Sequence, residues 1–179
     1  GVGTGQLIAV VQDPTNVDSG SWAPPLPLGT LARSDAAEIL RAGLARSWKS
    51  PDEQALAYEV AGLLEGNPLC ADLTGRLMRY GSLEIEQIGD LLGERTTSSP
   101  LSSVLTVSLA LLEDRCPSAR TMLVAGAILG PGTIPRSLLA QVGAPETLLH
   151  LEKLGLVRPG QDGTVVEVPA RQELLSLLP

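Results

Sequence analysis

Thirty-three leucines and no phenylalanine set the first constraint: the 33 Leu of this 179-residue chain stand beside only two Trp and two Tyr. Leucine packs helices well, whereas strands favour β-branched and aromatic residues. That balance argues against an all-β sandwich or barrel and predicts a mainly helical body. At 44% hydrophobic residues the chain is too apolar to be a disordered tail. Its length suits one ordinary domain or two small ones. A chain of this size can bury roughly 70% of its unfolded surface.

Charge narrows the partners. Acidic residues outnumber basic ones 20 to 13, giving a net charge of −7 and a pI near 4.7. A surface that tracks phosphates needs clustered Lys and Arg. The two lysines here, Lys49 and Lys153, lie far apart in sequence, which disfavours nucleic acid as a partner. Cys70 and Cys116 make neither a disulfide framework nor a metal-ligand spacing, and a reduced cytoplasmic setting fits them best. The longest apolar stretches, such as Met122 to Leu129, fall far short of the ~18 residues of a spanning helix. No basic n-region marks a signal peptide. The chain opens on Gly1 rather than Met, which reads as a piece of something longer.

Along the chain, Leu7-Ile8-Ala9-Val10-Val11 is a short continuous apolar run, suited to a strand buried on both faces of a parallel sheet. Asp13 to Leu28 is rich in Pro, Gly, Ser and Asn and reads as a linker. Helical signals then take over. Ser34 is placed to cap a helix running to about Arg46. Ser50-Pro51-Asp52-Glu53 combines a cap, a first-turn proline and a capping box. The helix it opens carries Leu56, Val60, Leu63 and Leu64 inward and stops near Gly66. Pro68 begins a third helix that ends at Gly81, and Ser82 opens a fourth with Ile85, Ile88, Leu91 and Leu92 inward.

Glu94 to Pro100 is a polar joint, after which helices are predicted at 101–114 and 117–129. Pro135 and Pro145 each open a further short helix. A hairpin follows, with the turn Pro159-Gly160-Gln161-Asp162-Gly163 leading to Thr164–Val168. Arg171–Leu178 is a last helix. Helices followed by a hairpin make the order of a winged helix. The fold class is therefore mainly α: a small four-helix bundle, then a winged helix.

Most catalytic readings fail on inspection. Gly1, Gly3 and Gly5 precede the candidate strand, whereas a phosphate loop follows a strand and opens a helix. Neither lysine follows a glycine, so no Walker A loop is present. The only histidine, His150, reads as a packed or solvated helix residue. Asp52 and Glu53 sit at a helix start, where acids complement the dipole. No enzyme activity is expected of this chain alone. The third helix of the winged-helix stretch, Pro145–Leu154, offers Glu146, His150, Glu152 and Lys153 but no Arg, Asn or Gln to read base edges. Arg158 of the wing is opposed by Asp162 and Glu167. Packing, rather than DNA binding, is the expected use.

The order of these pieces resembles the back half of the nucleotide-binding core of STAND NTPases of the NB-ARC type. Gly3 to Asp13 is similar to the strand that ends the family's nucleotide domain. Pro25-Leu26-Pro27-Leu28, then Asp35 to Leu40, resembles its Leu-x-Pro-Leu stretch and acidic helix. Gly66-Asn67-Pro68-Leu69 matches three of four positions of the Gly-Leu-Pro-Leu motif. Ile134-Pro135-Arg136-Ser137-Leu138-Leu139 looks like the Ile-Pro-x-x-Leu-Leu of its winged helix, and Leu148 to Val157 like the segment leading into the wing.

The resemblance implies three parts: residues 1–30 as the last strand and linker of a P-loop α/β domain, 31–95 as a four-helix module, and 96–179 as a winged-helix module. It implies a switch in which ADP or ATP, held together with a P-loop domain supplied upstream or in trans, controls closure and self-association. Gly66, Asn67, Pro68 and Leu69 would lie on the adenine side. Two positions depart from the family. Gln12 stands where an arginine would sense the terminal phosphate, and Pro169 where a histidine would contact the ADP β-phosphate. Glutamine removes a charge able to bind phosphate bidentately, and proline has no side-chain donor. Those departures favour a second reading, a non-switching interaction scaffold. A third is a winged-helix transcription regulator, which the charge opposes.

Overall fold

The computed structural model describes residues 29–94, 99–129, 133–160 and 165–176. The strand proposed at Leu7–Val11, the linker and Gln12 lie outside them. The chain is mainly helical. Four helices come first: α1 (Arg33–Leu44), α2 (Pro51–Leu63), α3 (Pro68–Gly81) and α4 (Ile85–Gly93). Then follow α5 (Pro100–Glu113), α6 (Ala119–Leu129), β1 (Ile134–Pro135), α7 (Arg136–Leu139), α8 (Pro145–Lys153), β2 (Arg158–Pro159), β3 (Val165–Glu167) and α9 (Arg171–Ser176). The three strands form one small antiparallel sheet in the order β1-β3-β2, with Ile134 opposite Val166 and Arg158 opposite Glu167.

Local chemistry explains most of the helix starts. Ser50 Oγ accepts from Glu53 N at 3.1 Å and Ser99 Oγ from Ser102 N at 3.1 Å. Asn67 Oδ1 accepts from Leu69 N at 2.9 Å and Cys70 N at 3.2 Å. In all three helices proline follows the cap, where its missing N–H costs nothing. Four expectations need correction. α1 starts one residue before Ser34, with Ala32 at the cap, so the serine hydroxyl sits inside the first turn beside Asp35. Glu53 does not close a capping box on Ser50; its carboxylate accepts instead from Lys49 N and Arg46. Ser82 opens nothing: it is the left-handed C-cap of α3, with φ 53°, and α4 begins at Ile85 after Glu84 N donates to Gln87 Oε1 at 2.9 Å. Pro135 belongs to β1 and caps α7 rather than lying within it.

The core is one cluster of buried residues reaching from Ala36 on α1 to Leu174 on α9. Leucines such as Leu40, Leu73, Leu77, Leu105, Leu112 and Leu123 fill it, and small residues set the spacing. On α2 the inward face is Ala57, Val60 and Ala61, while Leu63, expected inward, is exposed. α1 crosses α3 with backbones touching. A Cβ on Gly43 would lie 2.5 Å from Gly75 Cα, so only glycine fits. Arg79 of α3 donates to the carbonyls of Ala42 at 2.6 Å and Gly43 at 3.1 Å, satisfying the open end of α1. Trp48, in the link from α1 to α2, packs half-buried against the core. α5 is shared: it touches α3 and α4 on one side and α6 and α9 on the other. Among the described residues no helix is long and apolar enough to cross a membrane.

Candidate functional site

The Gly66–Leu69 segment is the turn between α2 and α3, and its shape follows from two residues. Glu65 and Gly66 both take left-handed backbone angles, φ 51° and 67°. Gly66 is also hemmed in. Its carbonyl accepts from Leu31 N at 2.8 Å, and a Cβ there would lie 2.6 Å from Leu31 O. Both the dihedral and the space therefore demand glycine. Asn67 and Pro68 then cap and start α3. Helix stop and start alone account for this local sequence.

The tertiary setting adds something that local rules do not. A groove of about 510 Å³ opens beside this turn, lined by Gly66, Asn67 and Pro68 together with Thr30, Ser99, Pro100, Leu101 and Glu173 among others. That volume lies within the ordinary range of small-molecule clefts, roughly 300–1,000 Å³. The start of α3 and the start of α5 both face it. Ser99 Oγ, besides capping α5, donates to Glu173 Oε1 of α9 at 2.5 Å, which ties the last helix to one wall. Leu69 turns away and packs half-buried against the core. Pro169, half-buried just ahead of α9, is not among the lining residues. The structure thus brings together three of the six singled-out positions, separates Leu69 and Pro169 from them, and does not describe Gln12.

The groove is apolar with an acidic rim. Among the described residues, Glu65 and Glu173 are its charged side chains, and no Lys or Arg lines it. The effect reaches Cys70 on the first turn of α3. Burial first, then the carboxylates of Glu173 and Glu65, push its thiol up to about 12, so it stays protonated and unreactive. Proline and leucine faces suit a flat ring, and backbone and carboxylate acceptors suit its N–H and O–H groups. Among the described residues, a polyphosphate would meet two negative charges and no lining cation. The nearest arginine in sequence, Arg171, has its Nε buried without a hydrogen-bond partner.

A second, smaller groove of about 350 Å³ lies beside Lys49, Asp52, Glu53, Glu84 and Glu86. Its charges are largely consumed by one another. Arg46 reaches Glu53 at 2.6 Å and Glu84 at 2.5 Å, and Lys49 Nζ reaches Glu84 at 2.7 Å. The Arg46 guanidinium pulls the Glu53 carboxyl down to about 2, and Lys49, then Arg46, lowers Glu84. This network staples the α1–α2 link to α2 and α4. Among the described residues no group of three or more His, Cys, Asp or Glu is placed to hold a metal ion. No protein-family model matches this chain, and no curated protein aligns with it significantly.

Sequence reasoning reached Gly66, Asn67 and Pro68 through their motif. It missed Ser99 and Glu173. Ser99-Pro100 carried a signal, since it repeats the cap-then-proline pattern of Ser50-Pro51 and Asn67-Pro68. The arrival of Glu173 depends on how α9 docks and has no local signature.

Proposed function

We propose that this chain is the regulatory half of a STAND/NB-ARC-type signalling NTPase, closing over the base-and-sugar side of ADP or ATP held by a separate P-loop domain. On this reading α1–α4 form the four-helix module. α6, α7 and α8 with the β1-β3-β2 sheet form the winged helix, in which β1 precedes the second helix and the β2–β3 hairpin follows the third. The observation that carries the reading is the groove that brings the Gly66–Pro68 turn, the start of α5 and Glu173 of α9 together. Its lining favours a base over a phosphate, which agrees with a half-site whose phosphate contacts lie on another domain. Pro68, with Pro100 and Leu101, would stack on the base. Thr30, Asn67 and Glu65 would take its polar edge or the ribose hydroxyls. Nucleotide would act as a switch through its different affinities for closed and open arrangements.

Two measurements test this. Calorimetry of this chain alone should show no binding of ADP or ATP, because no Lys or Arg among the described residues lines the groove to meet the phosphates. Micromolar affinity would sink the claim that the phosphate site lies elsewhere. With a P-loop domain supplied, 8-azido-ADP should label the peptide around Asn67–Leu69. Labelling confined to the P-loop domain would overturn the assignment of the groove.

Side-chain pairing weighs against the transcription-regulator reading. Arg136 on α7 is tied to Glu152 on α8 at 2.5 Å, and Arg158 on β2 lies 3.7 Å from Asp72. Leu149, on the outer face of α8, is half exposed where a base-reading helix would carry polar groups.

A further inference from the structure

α3 carries Asp72, Arg76 and Tyr80 at successive steps of four, so they form one row along the helix. All three meet the second half of the chain. Asp72 pairs with Arg76 at 3.0 Å and faces Arg158 of β2 at 3.7 Å. Gly155, just past α8 with φ 73°, comes close enough to Arg76 that a Cβ there would lie 2.7 Å from Arg76 Cδ. Tyr80 Oη and His150 Nδ1 of α8 are 2.7 Å apart, and their rings meet edge to face at 5.7 Å. Arg115, just past α5, stands 5.1 Å from the centre of the same tyrosine ring.

The ion pairs of this seam are exposed, Tyr80 and His150 are half-buried, and Gly155 is buried against Leu73 as well as Arg76. The side chains of Asp72, Arg76 and Arg158 are 36%, 43% and 50% exposed. Exposed ion pairs contribute little to stability, and regions joined by such contacts open locally before the core does. Other faces of α3 are different: Leu77 and Met78 are buried, and α1 crosses backbone to backbone at Gly75. α5 bridges the two halves, because it packs on α3 and α4 as well as on α6 and α9.

We propose that the Asp72–Arg76–Tyr80 row is a releasable latch, from which the α8–β2 segment lifts by pivoting about α5 while the α1–α3 crossing stays closed. The device follows from the distribution of contacts and stands independently of the nucleotide reading.

Residue-resolved hydrogen exchange on the whole chain tests it. In the native protein, amides of Leu148–Leu154 should exchange through an opening that leaves α1 and α3 protected. Tyr80→Phe removes one hydrogen bond and should speed the α8 amides about 2- to 10-fold, with α1 unchanged. Arg158→Gln should do the same more weakly, and 1 M NaCl should accelerate the native protein but not that variant. His150 is the only histidine, so its ring resonances follow the latch without overlap and should shift in Tyr80→Phe. Equal acceleration of α1 and α8 would show a single cooperative unit and overturn the latch. So would unchanged α8 exchange in both variants.

Discussion

Helix α3 is held on two sides by opposite means. Against α1 it offers Gly75, and the backbones meet with no side chain between them. Against α8 and β2 it offers Asp72, Arg76 and Tyr80, polar side chains that are partly exposed, with Leu73 beside Gly155 as an apolar contact. Close backbone contact cannot be partly loosened, because interiors are packed like crystals and any shift is felt at once. A row of exposed polar contacts can come apart one at a time. One helix thus separates a rigid body from a movable one, and the difference lies in whether it presents bare backbone or partly exposed polar side chains.

The comparison breaks first where the rigid side is emptied. Leu40 on α1 is fully buried, and Leu40→Ala should cost about 2–5 kcal/mol by denaturant unfolding. Gly43→Ala adds only a methyl group, yet it drives that methyl into Gly75. It should cost about 1–3 kcal/mol. Gly93→Ala is the matched control: a Cβ there meets nothing within 4 Å, so helix propensity should make it neutral or slightly stabilising. If the two alanine variants behave alike, close approach is not what holds α1 on α3.

The Arg46–Glu53–Glu84 staple sharpens the other half of the comparison, since it is polar yet Glu53 is only 11% exposed. Glu53 titrates near 2 in the folded chain against an ordinary 4.5. A depressed carboxylate adds stability that is complete above about 4.5 and is lost as pH falls through about 2. Stability should therefore decline over that window, and Glu53→Gln should be weaker than the native chain at pH 7 with the gap closing near pH 2. A gap that persists at pH 2 would mean that packing, not charge, is responsible. The smallest effect belongs to the seam: Asp72→Asn should change global stability by less than about 1 kcal/mol. A larger loss would place Asp72 on the rigid side.

Much of the helical frame was legible because its signals are local. Ser50-Pro51 and Asn67-Pro68 announce helix starts from adjacent residues, and both caps form. Local reasoning failed where two local solutions competed. Ser82 is a good N-cap by type, but the chain uses it in a left-handed turn to end α3, and Glu84 with Gln87 starts α4. It failed again where the deciding partner is remote in sequence. Nothing adjacent to Gly43 or Gly75 in sequence explains them; the crossing of α1 over α3 explains both. The groove was half legible for the same reason: Gly66, Asn67 and Pro68 are neighbours in sequence, whereas Ser99 and Glu173 meet only after α5 and α9 have docked. His150 was expected to be packed or solvated; its partner Tyr80 lies seventy positions away.

Trp48 carries a consequence for anyone who watches this molecule unfold. It sits in the α1–α2 link, against the core and next to the charged staple, while α8 and the sheet contain no tryptophan. With the chain's other tryptophan removed by Trp22→Phe, its emission reports on the rigid half. An optical melting curve recorded at that indole would look like a single sharp event even if α8 had already swung away from α3.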